Sequence, residues 1–411
     1  MATNQELLKE REQRLATTIA LGTPDRVPIA PKMNHFYGDM YGVNCYTAAS
    51  DPKTLVPAVK EYIREFQPDG VWQIAQHSNH VVDLLGTKFV RCPGGGRLGI
   101  NDHFQILDDE FMYEDEYLEF AKDPTTFIIN KWLPRRHSEL AGLAKVNFQD
   151  WIEYGIYGAV ATFGDPEVKK AFDALQAAAY HSKVWLEGGA AFADACVEEG
   201  VPVLARFGHT CPFDVLSDNF RGMMNMNMDI LMQPEGLEEA LAAATDIVLK
   251  YMLNPIKAFN DKYLFIPLHG GVDEFMSKEN YAKYYWPGLK AMIEKAVAEG
   301  ITPYVFCEGN YDTRLEQLMD VPKGKVVYMF EKVDMKRAKE TVGQVACIGG
   351  NLPTATLMYG TKEQVIDQTK ELLDTCAPGG GFIMDCSIVM DNCPKENLHA
   401  MFETALTYGK Y

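Results

Sequence analysis

The chain has 411 residues, of which 47% are hydrophobic and 23% are charged, a composition typical of a globular protein with a large core. Its 39 basic and 57 acidic residues give a formal net charge of −18, which argues against nucleic acid or an anionic membrane as the main partner. No run of about 18 apolar residues predicts a membrane span, and the first residues do not resemble a signal segment. Nine scattered cysteines are not the pattern of a secreted disulfide framework. We therefore expect a cytoplasmic protein.

Eight short apolar runs, each bounded by turn residues, predict buried β-strands. They are Val27–Pro31, Gly70–Ala75, Pro202–Phe207, Leu264–His269, Thr302–Cys307, Lys325–Phe330, Val345–Gly349 and Gly381–Cys386. Helical patterns separate most of these runs, and the alternation of strand and helix predicts a parallel sheet. Eight strands of this kind predict one α/β domain, a (β/α)8 TIM barrel, over residues 1–411.

The helical patterns are recognised by their apolar periodicity and by their N-caps. They cover Glu235–Leu253, Asn280–Ala298, Asp334–Val342 with Asp334 as N-cap, and a segment that opens on the capping box Thr361-Lys-Glu-Gln364 and runs to about Leu373. Residues 1–20 predict an exposed, charged helical extension ahead of the barrel.

The segment of residues 76–200 is too long for a single crossover between the second and third strands. It holds a glycine-rich turn at Pro93–Gly96, an acidic aromatic stretch at Asp108–Phe120 and a helical pattern at Glu167–Val184. We interpret this segment as an insertion near the barrel mouth, which is either a lid or structural padding.

Polar residues follow the predicted strands at their carboxyl ends, which meet in the mouth where this fold builds its active sites. In chain order they are Asn34, His35, His77, His80, His209, His269, Cys307, Glu308, Glu331, Asn351 and Cys386. A single histidine is more often a hydrogen-bonded structural residue than a ligand. The prediction of a functional site therefore rests on the number of histidines at these strand ends. We predict that the catalytic proton donor is His269, His209 or His77, with His269 preferred, and that the substrate contacts are Asn34, His35, His80 and Asn351.

Cys307 and Cys386 close two of the predicted strands, and two thiols at one mouth could share a soft metal such as zinc. The alternative is that both are small buried hydrophobic residues. Zinc needs a third protein ligand, and Glu331 at the end of the next strand is the first candidate, unless it forms an ordinary ion pair. His269 and Glu308 are the other candidates, although Glu308 should point away from Cys307 on a regular strand.

Several motifs resemble the uroporphyrinogen decarboxylase superfamily, most closely in the last third of the chain. They are Phe220-Arg-Gly-Met with Asp229 and Pro234-Glu235, then Cys307-Glu-Gly-Asn310, Gly349-Gly-Asn-Leu-Pro353, Tyr359-Gly-Thr-Lys-Glu363, and Gly379-Gly-Gly-Phe-Ile-Met384 through Cys386 to Pro394-Lys-Glu-Asn-Leu398. The resemblance covers nearly the whole barrel and implies the TIM-barrel fold.

The decarboxylases of this superfamily carry an Arg-Gln-Ala-Gly-Arg segment near the N-terminus that grips substrate carboxylates, whereas Pro31-Lys-Met-Asn-His-Phe-Tyr37 contains no arginine. The other branch contains zinc-dependent methyltransferases that pass a methyl group to or from a corrinoid protein. Their pattern is His-x-Cys on one strand and a second cysteine on the last strand. This chain keeps both cysteines, as Cys307 and Cys386, but has Val305 at the histidine position. The absence of this histidine leaves the identity of the third zinc ligand undecided, and it suggests a substrate other than a thiol.

The resemblance therefore implies a zinc-dependent methyltransferase of anaerobic metabolism, which moves a methyl group from a small molecule to the Co(I) corrinoid (cobalamin) of a partner protein. A phenyl methyl ether is the first expectation for the donor, because aromatic residues surround the predicted mouth (Phe36, Tyr37, Trp72 and Phe207). Methylamines, betaines and methanol also fit. The chain lacks the Asp-x-His-x-x-Gly run of corrinoid proteins, so the cofactor must belong to the partner.

Two alternatives remain for the function, and the oligomeric state is open. The first alternative is a uroporphyrinogen decarboxylase-like lyase without metal, and the second is a non-catalytic protein that binds a tetrapyrrole or corrinoid. A homodimer is compatible with the sequence.

Overall fold

The computed structural model describes residues 3–73, 77–96 and 98–411. Two short strands, β1 (Val90–Arg91) and β2 (Gln105–Ile106), form an antiparallel pair. Five strands form one parallel sheet in chain order, and they are β3 (Tyr263–Leu268), β4 (Thr302–Asn310), β5 (Val327–Lys332), β6 (Cys347–Gly349) and β7 (Phe382–Ile383).

The other three predicted strands extend this sheet through single parallel bridges. The bridges join Ile29 to Met384, Val71 to Val203, and Gly208 to Phe265 of β3. The amide of Asp69 donates to the carbonyl oxygen of Ile29 at 2.8 Å and so links the first two segments. These contacts lead from the eighth strand back to the fourth, and the predicted (β/α)8 architecture is confirmed. The first and third strands contain Pro28, Pro31 and Pro202, which have no amide proton for a ladder. The last two residues of the predicted strand Gly70–Ala75 lie outside the described residues, as does the first residue of the predicted insertion, residues 76–200.

Within the described residues, eight α-helices are at least ten residues long. They are α1 (Asn4–Ile19), α2 (Val56–Phe66), α3 (Pro166–Glu198), α4 (Met223–Met232), α5 (Pro234–Tyr251), α6 (Trp286–Ala298), α7 (Lys362–Cys376) and α8 (Lys395–Tyr408). Shorter α-helices are Phe36–Met40, Cys45–Ser50, Asn79–Leu85, Tyr117–Lys122, Pro124–Phe127, Leu133–Arg136, Asp150–Glu153, Gly155–Ala161, Pro212–Leu216, Asn254–Ala258, Lys278–Asn280, Met335–Glu340 and Thr354–Tyr359. The capping box at Thr361 and the N-cap Asp334 are confirmed. None of the helices in this part of the chain is long and apolar enough to cross a bilayer.

Alternate residues of β4 face two different cores, as the two-residue period of a strand requires. Phe306 packs with Trp72 in an inner cluster to which every segment of the eight-stranded ring contributes a side chain. Cys307 packs with Tyr281 in the layer between the strands and the surrounding helices. Odd-numbered positions of this strand therefore point to the helices, and even-numbered positions point into the barrel and its mouth.

Helix α1 closes the amino-terminal end of the barrel instead of standing exposed. Its Leu15 and Ile19 belong to the inner cluster, together with the first residues of several strands. Arg14 is buried and donates to Asp69 at 2.7 Å and to Asp25 at 2.7 Å. The prediction of an exposed charged helix is therefore wrong for one face of α1, because its charges find partners on the barrel.

The predicted insertion, residues 76–200, ends in a helix that belongs to the barrel. α3 is longer than its predicted core Glu167–Val184, and its C-terminal part packs in the main core through Phe192 and Cys196, as expected for the helix between the second and third strands. Earlier in the insertion, Glu110 forms an ion pair with Arg221, which also pairs with Asp229. These contacts hold this part of the insertion against the segment that follows the third strand. A role for residues 77–165 as a lid stays a prediction.

Candidate functional site

The carboxyl end of β3 presents His269 at the barrel mouth between two carboxylates. The Nδ1 atom of its imidazole lies 2.6 Å from Oδ2 of Asp218, and the Nε2 atom lies 3.6 Å from Oε1 of Glu308. Asp218 belongs to the helical turn Ser217–Arg221 after the third strand, and Glu308 belongs to β4. The His269 side chain is 31% exposed, so a small molecule in the mouth could contact it.

Buried Asp214 fixes the backbone on which His269 stands. Its carboxylate accepts hydrogen bonds from the amide of His269 at 3.0 Å, from the amide of Gly270 at 2.9 Å and from the hydroxyl of Tyr285 at 2.6 Å. Burial and the negative charge of Asp218 raise the pKa of Asp214 to about 6, although the neighbouring His269 opposes the rise. The end of β3 is therefore held rigidly while its imidazole faces the mouth.

The three acidic neighbours determine the protonation state of His269. Burial alone lowers the pKa of the imidazole, but the hydrogen bond to Asp218, the nearby carboxylate of Glu308 and the charge of Asp214 outweigh it. The pKa of His269 is raised well above its usual value of 6.5. The imidazole therefore carries a proton at neutral pH and can act as a general acid.

An ion pair lies inside the barrel, where the first and eighth strands end. The ammonium of Lys32 pairs with the carboxylate of Asp385 and donates to the carbonyl oxygen of Cys386 at 2.9 Å. It also stands 4.7 Å above the ring of Phe306 and 5.8 Å above that of Trp72. Burial raises the pKa of Asp385, and Lys32 counteracts this. Both side chains are fully buried, so Lys32 cannot bind a substrate carboxylate as an exposed arginine would.

The structure does not bring Cys307, Cys386 and Glu331 together. Cys307 points into the helix layer, and Cys386 donates from its thiol to the carbonyl oxygen of Ile388 at 3.0 Å. Glu331 accepts a hydrogen bond from the amide of Gly309 at 2.6 Å. Burial raises the pKa of both thiols well above the ordinary value of cysteine.

These positions correct the expectation that the two thiols meet in the mouth. Glu308 faces the mouth, as the alternation of β4 predicts, and the neighbouring Cys307 therefore cannot. The residues as placed do not fit a shared zinc ion, and no chemical step is assigned to a metal there. The placement of Cys307, Cys386 and Glu331 therefore does not support the zinc role predicted for them.

The other predicted catalytic histidines have separate surroundings. Nδ1 of His209 donates to the carbonyl oxygen of Thr210 at 2.8 Å. His77 stands edge-on to Phe104 and Phe89, with ring centroids 5.0 and 5.8 Å apart, and burial and Arg136 lower the pKa of its imidazole. Within the described residues, neither histidine shares a hydrogen bond with His269.

The predicted substrate contacts are also dispersed. The imidazole of His80 lies beside that of His181, with ring centroids 4.4 Å apart. The side-chain amide of Asn351 donates to the carbonyl oxygen of Val333 at 3.2 Å, and Asn351 lines a surface cleft with Glu331. His35 donates from Nε2 to the carbonyl oxygen of Val43 at 2.7 Å. The Oδ1 atom of Asn34 is buried without a hydrogen-bond partner among the described residues.

Sequence reasoning found His269 and Glu308 but missed Asp214 and Asp218, the other two carboxylates around His269. Asp214 and Asp218 lie four residues apart, directly after the third predicted strand and Cys211-Pro212. That spacing places both carboxylates on one side of a helical turn and was the available signal. Asp385 was also missed, although a carboxylate within the apolar run Gly381–Cys386 needs a buried partner.

The comparisons with known proteins agree with this architecture. The sequence model of the family "Uroporphyrinogen decarboxylase (URO-D)" matches residues 189–408. Methylcobamide:CoM methyltransferase MtbA of Methanosarcina acetivorans is 28% identical over 135 residues, and MtbA of Methanosarcina mazei is 30% identical over 135 residues. Each match covers 33% of this chain, which spans 39% of the length of each relative.

A solved structure extends the likeness to the whole fold. A methyltransferase from Methanosarcina mazei superimposes with a TM-score of 0.64 at 16% identity, over 97% of this chain and 98% of that one. The matched family segment runs from the end of α3 to the end of α8 and contains the motifs of the mouth. Because the family model matches more than half of the chain, the chain belongs to the uroporphyrinogen decarboxylase family.

Proposed function

We propose that this chain transfers a methyl group from a methylated small molecule to the Co(I) corrinoid of a partner protein. The MtbA relatives are named methylcobamide:CoM methyltransferases, which supports methyl transfer with a corrinoid as the reaction class. The observation that carries the proposal is the placement of His269 between Asp218 and Glu308 at the mouth. Such a reaction belongs in the cytoplasm, and the corrinoid protein would dock where the mouth is open.

The corrinoid, when its carrier protein presents it, supplies a two-electron nucleophile for the methyl carbon. The bond between that carbon and its heteroatom breaks, and the electron pair stays on the heteroatom. The imidazolium of His269 donates its proton to this atom as the negative charge develops. Asp218 and Glu308 hold the imidazole in place and keep it charged until the proton leaves.

A protonated His269 favours an oxygen leaving group. Cleavage of an ether or of methanol leaves a basic alkoxide or phenoxide that needs a proton, whereas a quaternary ammonium leaves a neutral amine that needs none. This supports a methyl ether, with a phenyl methyl ether as the first choice. The aromatic residues that suggested this donor give less support, because Phe36, Tyr37 and Trp72 are packed inside the protein.

The test is a donor panel with purified chain and chemically reduced cobalamin. Anisole-type ethers, methanol, glycine betaine and trimethylamine are supplied one at a time, and methylcobalamin is measured by its absorption. We expect formation with a phenyl methyl ether and none without the chain. Reaction with glycine betaine alone would contradict the role of His269, and no reaction with any donor would contradict methyl transfer.

A further inference from the structure

The loop after the first strand gathers three metal-binding side chains that methyl transfer does not use. His35, Asp39 and Cys45 offer a nitrogen, an oxygen and a sulfur atom, and these ligand atoms all lie within 4.8 Å of one another. Among the described residues, no other set of three His, Cys, Asp or Glu side chains meets this condition. His35 and Cys45 are buried, and Asp39 is partly exposed.

Local structure explains why these three atoms converge. His35 and Asp39 stand four residues apart at the start of the short helix Phe36–Met40, so both side chains lie on one side of it, with Nε2 of His35 3.6 Å from Oδ1 of Asp39. The turn at Gly42, with a φ of 82°, reverses the chain and brings in Cys45, the first residue of the next helix. Nε2 of His35 also lies 2.7 Å from the carbonyl oxygen of Val43, and a metal ion bound at Nε2 would replace this hydrogen bond.

A second imidazole and a second carboxylate stand beside this set. The ring centroids of His103 and His35 are 6.0 Å apart, and Nδ1 of His103 lies 3.7 Å from Oδ1 of Asp391. The parallel bridge between Met33 and Met390 brings Asp391 to this place, although it follows the eighth strand. The nitrogen, sulfur and carboxylate groups at this location therefore come from four segments of the chain. One contains His35 and Asp39, and the others contain Cys45, His103 and Asp391.

We propose that His35, Asp39 and Cys45 bind one divalent transition metal ion, with zinc as the expected ion, and that His103 and Asp391 stand next to its open coordination position. The mixed nitrogen, oxygen and sulfur set suits zinc or a chemically similar ion, whereas magnesium and calcium prefer oxygen ligands alone. Three protein ligands and one open position are typical of zinc sites that bind a further molecule. The site lies at the rim of the barrel and does not include Cys307 or Cys386.

Metal binding tests this proposal without an assay of methyl transfer, so the two proposals can fail separately. The full chain is stripped with chelator, reloaded with zinc and analysed for bound metal, and a parallel sample is loaded with Co(II). We expect about one ion per chain and a thiolate-to-cobalt charge-transfer band. Cys45→Ser should lose the band, whereas Asp391→Asn should keep the ion, because Asp391 stands beside the open position and is not a ligand.

The matched controls are Cys307→Ser and Cys386→Ser, which should keep the ion and the band. Asp39→Asn is a second ligand variant at a partly exposed position, so its fold should survive, and circular dichroism checks this for every variant. The proposal is overturned if wild-type chain holds no metal, if Cys45→Ser and Asp39→Asn bind as well as wild type, or if only the two control substitutions release the ion.

Discussion

His269 and Asp218 are joined by a contact of 2.6 Å between Nδ1 and Oδ2, although they lie 51 residues apart in sequence and come from different elements. Substitution of His269 by Gln removes the proposed acid and should lower the rate of methyl transfer about 100-fold or more. His399→Gln, on the outer helix α8, is the matched control and should keep the wild-type rate. The rate is followed by methylcobalamin formation at saturating donor. Equal rates for the two variants would exclude His269 as the acid.

The pH dependence of methyl transfer follows from the same contact. His269 must be protonated to act, and its pKa is raised well above 6.5, so activity should persist through neutral pH and fall only as the pH rises through the raised pKa. The decline should therefore lie above pH 6.5, the usual pKa of a histidine. Asp218→Asn removes a negative neighbour and lowers the pKa, so the alkaline decline should begin at lower pH. A profile that does not move in Asp218→Asn, measured as kcat against pH, would argue against this coupling.

The buried pair of Lys32 and Asp385 should matter for stability. Lys32→Met leaves an unpaired carboxylate inside the barrel and should reduce the free energy of unfolding by about 3–5 kcal/mol. The double variant Lys32→Met with Asp385→Leu removes both charges and should lose less than the single variant. Denaturant unfolding followed by circular dichroism measures both. A double variant less stable than Lys32→Met would contradict the assignment of this loss to the unpaired carboxylate of Asp385.

The anchoring of α1 gives a prediction with an internal control. Asp69 is fully buried and contacts Arg14 and Arg26, so Asp69→Asn should cost about 3–5 kcal/mol of unfolding free energy. Lys262 also ties α1 to the barrel, through Glu12, but this pair is largely exposed, and Lys262→Ala should cost about 1 kcal/mol or less. Similar losses for the two variants, measured by denaturant unfolding, would show that α1 is not anchored through Asp69.

The barrel was predictable because its strands and helices alternate with distinct periods, and helices such as α5 and α7 lie close to their predicted bounds. The direction of individual strand residues was harder to predict. Strands of a parallel barrel are buried on both faces, so hydrophobicity does not tell which of Cys307 and Glu308 faces the mouth. Only the structure resolves this choice.

Contacts between residues far apart in sequence were also not predictable from the sequence. Lys32 and Asp385 lie 353 residues apart, and no local pattern in the chain joins them. The arginines of α1 look like surface charges until Asp69 is placed beside Arg14. The histidines, in contrast, were visible as a group, but the sequence could not tell that Asp218 and Glu308 would select His269 among them.

Transfer of a deuterated methyl group tests the central claim most directly. Purified chain is incubated with a phenyl methyl ether carrying a CD3 group, with or without a reduced corrinoid protein or free Co(I) cobalamin, and the products are identified by mass spectrometry. We predict that the CD3 group appears on cobalt, with release of the free phenol, only when the chain and the reduced corrinoid are both present. Demethylation by the chain without any corrinoid, or transfer at the same rate when the chain is omitted, would contradict this function.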